Sequence, residues 1–145
     1  MSSLSEEAYI AQRRDALRIQ DGLAKYCALQ RIYNPGAQIS SQSEFDPPEV
    51  SITRALDAIR ASRALVMLYT LEKPSSVLVE AGCALAQRIP SLYFVRRPFK
   101  LPFLLTAATV AFEDVRLYEY DDIEDVLEYI RTSAPEFFKG RVVNP

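Results

Sequence analysis

The chain has 145 residues, 49% of them apolar, a size that suits one domain burying roughly two-thirds of its unfolded surface. Its net charge is −2 with both signs interspersed, so neither nucleic acid nor an anionic membrane is an expected partner. Histidine is absent, which excludes a His-based triad and removes the commonest transition-metal ligand, so neither a metal nor a cofactor is expected.

Residues 5–25 repeat Ala8, Ile10, Ala11, Leu17, Leu23 and Ala24 among charges at close to helical period, with Ser5 placed to cap. The run from Tyr26 to Tyr33 ends at Asn34, Pro35 and Gly36 and predicts a strand. Residues 34–48 make a long polar loop, which in so small a domain is more often functional than idle. Prolines then open a helix over 49–62, and "ALVMLYT" is a strand apolar on both faces. Ser75 or Ser76 caps a helix to about Gln87, and "PSLYFVR" is a second doubly buried strand. "LPFLLTAA" predicts a short helix and "VRLYEY" a last strand. Asp121 with Glu124 makes a capping box for a helix ending near Thr132. Residues 133–145 carry Phe137 and Phe138 and read as a tail that docks on the body or on a partner subunit. Cys27 and Cys83 lie in apolar segments without metal-ligand spacing, as buried free thiols of a reducing compartment do. With no run of about 18 apolar residues, a cytoplasmic protein is expected.

Strands and helices alternate from residue 26 to 132, the pattern of right-handed βαβ crossovers. The expected fold is a single α/β domain over 1–145, a flavodoxin-like or Rossmann-like three-layer sandwich with a mainly parallel sheet of four to five strands.

Within the helix that follows "ALVMLYT", Glu80 is the one charge among apolar or small residues. In an open parallel sheet that helix starts at the edge where the strands end, beside the ligand crevice. Glu80 then either complements the helix dipole, worth about 0.3–1 kcal/mol, or serves a site. Small neighbours leave room above it, and Gly82 allows close approach to the backbone.

The stretch from Ile59 to Phe94 resembles the core of the nucleoside 2-deoxyribosyltransferases and the related TIR-like fold. The resemblance rests on Ile59 to Tyr69, then Ser76, Glu80 and Gly82 in the order S-x-x-x-E-x-G, then the strand from Ile89 to Phe94. It implies a catalytic glutamate, Glu80, that attacks or stabilises the sugar cation as an N-glycosidic bond of a nucleoside, nucleotide or NAD breaks. The family's usual acidic partners fall at Pro74 and Ala55 here, leaving Asp46, Glu49 or Asp57 as substitutes.

Tyr33 and Tyr69 are placed by the predicted elements near the crevice edge, where an aromatic ring stacks on a base, and Arg96 follows a strand where it can clamp a phosphate. With Ser75, Ser76 and Asp46 these are the expected substrate contacts. No glycine-rich phosphate loop occurs among four glycines, which disfavours dinucleotide dehydrogenases and P-loop enzymes. Two functions remain: an N-glycoside-cleaving enzyme with residues 34–48 as a lid, or a non-catalytic TIR-like module that binds nucleotide and signals. Either takes a small-molecule nucleoside or nucleotide. The aromatic tail and a sheet short of a strand suggest a homodimer.

Overall fold

A computed structural model describes residues 5–35, 46–70 and 75–141. The chain opens with α1 (Glu6–Cys27), whose N-cap Ser5 accepts from the Ala8 N–H and whose first turn carries Glu6 and Glu7 against the dipole. The expected strand from Tyr26 to Tyr33 does not form. Tyr26 and Cys27 finish α1, Ala28 closes it in the left-handed region at φ 55°, and residues 29–34 are irregular. Leu29 and Ile32 still pack on the core, but among the described residues no strand lies alongside to accept a ladder.

Next come α2 (Pro48–Ala61), β1 (Leu65–Tyr69), α3 (Ser75–Ala86), β2 (Ser91–Arg96), α4 (Phe103–Ala111), β3 (Val115–Tyr120), α5 (Ile123–Thr132) and α6 (Ala134–Phe138). The sheet is parallel with order β1-β2-β3, so the described residues form three strands rather than the four to five expected. Because both crossovers advance in one direction, right-handedness puts α3 and α4 on the same face. Ala81 of α3 and Leu105 and Ala108 of α4 accordingly share a core with Met67, Tyr69, Tyr93 and Val95. The opposite face carries α1, α5 and α6, where Ile19, Leu23, Val126, Ile130, Phe137 and Phe138 close over Leu92 and Phe94. α2 packs beside α3 through Ile59, Ala84 and Ile89. The result is an α/β fold with helices on both sides of the sheet.

The tail expectation resolves toward the body: α6 seats both phenylalanines in the core. The capping box sits one residue later than expected. Asp122 accepts from the Glu124 N–H at 3.0 Å and Asp125 accepts from the Asp122 N–H at 3.3 Å, so the second aspartate of the pair takes the extended cap position. Cys27 and Cys83 are free but half-buried, and burial pushes the Cys27 thiol up to about 11. No helix among the described residues is long and apolar enough to cross a membrane.

Candidate functional site

Among the described residues β1 and β3 are both edge strands, but their sequences differ. β3 carries Arg116 and Glu119, the charges that usually guard an edge, whereas β1 reads Leu-Val-Met-Leu-Tyr and has none. Leu65 N–H donates to the Pro90 carbonyl at 2.8 Å on the β2 side. In a parallel ladder successive residues address opposite neighbours, so the N–H and C=O groups of Val66 and Leu68 face away from β2.

They face a groove. Along the free side of β1, between the two helical layers, lies a cavity of about 220 Å³ walled by Leu65 to Leu68, by Val77 and Glu80 of α3, and by Tyr9, Gln12, Arg13 and Ala16 of α1, with Asn34 at its rim. That volume is below the roughly 300 Å³ at which pockets for whole small ligands begin. A single ring fits, with the remainder of a larger molecule outside.

Glu80 is the sixth residue of α3, because Ser75 and Ser76, expected as caps, already belong to the helix. That moves it into the second turn, where the dipole has faded, so dipole complementation explains it less well. Val77 lies three residues earlier on the same face, and both side chains wall the cavity. Desolvation raises the Glu80 carboxyl above its usual value, and no hydrogen bond or ion pair to it occurs among the described residues. Desolvation favours the neutral acid, so the ionised carboxylate gains most from a cation that enters the groove.

The other expected contacts do not gather around it. Tyr69 is buried under α3 and α4 in the core, on the same face of β1 as Met67 but past the end of the cavity wall. Tyr33 is exposed, outside the cavity wall, and only its neighbour Asn34 reaches the rim, with its amide donating to Gln20 Oε1 at 3.1 Å. Asp46 is exposed and paired with Arg54, and Asp57 with Arg60, so neither supplies a second acid here. Arg96 is exposed at the end of β2, where its charge acts on Tyr120. Ser76 is exposed on the first turn of α3. The Ser75 side chain and most of the expected lid, residues 36–45, lie outside the described residues. The cavity therefore flanks the sheet instead of lying over its strand ends.

Tyr9, Gln12, Arg13 and Ala16 escaped the sequence reading. Their spacing of three, four and seven from Tyr9 marks one stripe of α1, polar and aromatic at once, and the helix was read only for its apolar repeat. No group of acidic or cysteine side chains able to hold a metal ion occurs among the described residues.

No protein-family model matches this chain, and no curated protein matches it.

Proposed function

We propose that this protein breaks the N-glycosidic bond of a nucleoside, nucleotide or NAD, in the manner of the nucleoside 2-deoxyribosyltransferase-like and TIR-like enzymes of Rossmann-like fold, with Glu80 as the catalytic carboxylate. The observation that carries the reading is a desolvated carboxylate, with no ion pair among the described residues, on the wall of a ring-sized groove. The sugar ring enters with its anomeric carbon over Glu80. As the C–N bond breaks, its electron pair leaves with the base, and a Glu80 oxygen closes on the anomeric carbon; a departing nucleobase takes a proton from water, whereas the pyridinium of NAD leaves as neutral nicotinamide and needs none. Water or a second base then displaces the carboxylate, giving free sugar or a new glycoside and restoring Glu80. Low local dielectric strengthens the attraction between the carboxylate and the developing cation.

The groove supplies contacts of the matching kind. Tyr9 offers a ring face, Gln12 and Asn34 offer amides, and the outward N–H and C=O groups of Val66 and Leu68 present the alternating donors and acceptors that pair with a base or sugar hydroxyls. Free cysteines are consistent with residence in the cytoplasm, which belongs to this reading.

Incubation of wild type and Glu80→Gln with NAD and a panel of nucleosides, followed by chromatography of released base, tests the assignment. Wild type releases base, and the variant loses about a hundredfold or more. Equal release by both refutes it. A second reading, nucleotide binding without turnover, draws on Glu80 being the one carboxylate among the described residues of the cavity wall. Binding of nucleotide by wild type with no release of base would establish that reading instead.

A further inference from the structure

On the outer surface of the α3–α4 layer, away from the groove, large apolar side chains stand exposed, with no described residue covering them. Phe103, Leu104 and Val110 of α4 are 82%, 73% and 88% exposed, and Val79 of α3 is 53% exposed. On α4 they share one side with Ala107 and Ala111, while Leu105 and Ala108 point into the core. From Leu101 to Phe112 there is no charged residue, and the one charge on α3, Glu80, is turned into the groove. A surface helix normally shows a polar outer face, and α4 does not.

We infer that this face is the interface of a homodimer, in which α4 of one copy lies on α3 of the other about a two-fold axis. The relief of the face is self-complementary. The α4 side projects through Phe103, Leu104 and Val110. Beside it α3 is flat at Gly82 and Ala86, and a Cβ built on Gly82 meets nothing within 4 Å. Projecting and flat stripes side by side on one surface are what an isologous pairing needs, since each copy then supplies both halves of the fit. The area argues the same way. With Phe103 four-fifths exposed beside one leucine and two valines, the four side chains present on the order of 400 Å², already the size of the largest apolar patches that monomers carry. The exposed alanines Ala86, Ala107 and Ala111 widen the patch toward the roughly 800 Å² per partner of a standard two-chain interface. A face without charge gives a heterologous charged partner nothing to orient on, whereas it suits its own copy.

Sedimentation equilibrium on the full chain tests this, with Val110→Glu placing a charge on the projecting stripe and Gly82→Arg filling the flat one. Both positions are exposed in the single chain, and an unchanged far-UV circular dichroism spectrum confirms the fold of each variant. At about 100 µM, well above the micromolar Kd of an ordinary two-chain contact, wild type sediments at twice the mass of one chain and both variants at the mass of one. A wild-type monomer at that concentration, or a dimer that survives either substitution, overturns the inference.

Discussion

At the scale of single residues, Glu80 sets function against stability. Its folded-state carboxyl is raised above the ordinary value of 4.5 by burial, so the folded chain holds that proton more tightly than the unfolded chain does. The protonated form's contribution is complete below the unfolded value and is lost as pH rises through the folded one. Glu80→Gln, which mimics the protonated state, is therefore more stable than wild type at pH 7, and the gap closes as pH falls below about 4.5. Urea melts of both proteins at several pH values measure it; a gap that widens toward acid contradicts the burial assigned here. Ala28 makes a second residue-scale case. It holds φ 55° with a Cβ in place, a conformation that glycine adopts without penalty. Ala28→Gly should raise unfolding free energy by about 1 kcal/mol, read from the same melts.

At the scale of elements, legibility followed the range of the forces. The two apolar runs at Leu65–Tyr69 and Ser91–Arg96 are strands because burial on both faces leaves a continuous pattern. α5 was readable from Asp121 and Glu124 as a capping pair, one residue ahead of the Asp122–Asp125 box that forms. The stretch after Lys25 was not, because its apolar residues satisfy either a helix end or a strand, and the choice depends on a neighbouring strand that local sequence does not encode. The cavity wall divided in the same way. Glu80 stood out as a lone charge among apolar residues, whereas Tyr9, Gln12 and Arg13 join it only through the packing of α1 across the sheet edge. Packing at the other end of α1 is close: a Cβ on Gly22 would meet Ile130 Cγ2 at 3.3 Å. Ile130 is fully buried between α1 and β2, and Ile130→Ala should cost about 3 kcal/mol by the transfer and cavity terms together. A loss under about 1 kcal/mol would mean that the site collapses onto the gap.

At the scale of the whole molecule, the three-stranded sheet of the described residues leaves apolar surface along the free side of β1 and on the outer face of α4. The first is concave and holds a carboxylate, hence its reading as a site. The second is convex and uncharged, hence its reading as an interface. If the α4 face closes on a second copy, the thermal midpoint of wild type rises with protein concentration by mass action, and that of Val110→Glu does not. Scanning calorimetry across a hundredfold range of concentration separates the two, and a wild-type midpoint independent of concentration contradicts the dimer.

The claim on which the functional reading rests is that the ionised Glu80 carboxylate in the β1 groove does the chemistry. The pH dependence of kcat/KM for base release, measured on wild type and on Glu80→Gln, tests it most directly. Wild-type activity should climb with pH through an apparent pKa above 4.5, as a desolvated carboxylate loses its proton, and the variant should lack both the activity and the limb. Base release of equal rate and identical pH profile from the two proteins would contradict it.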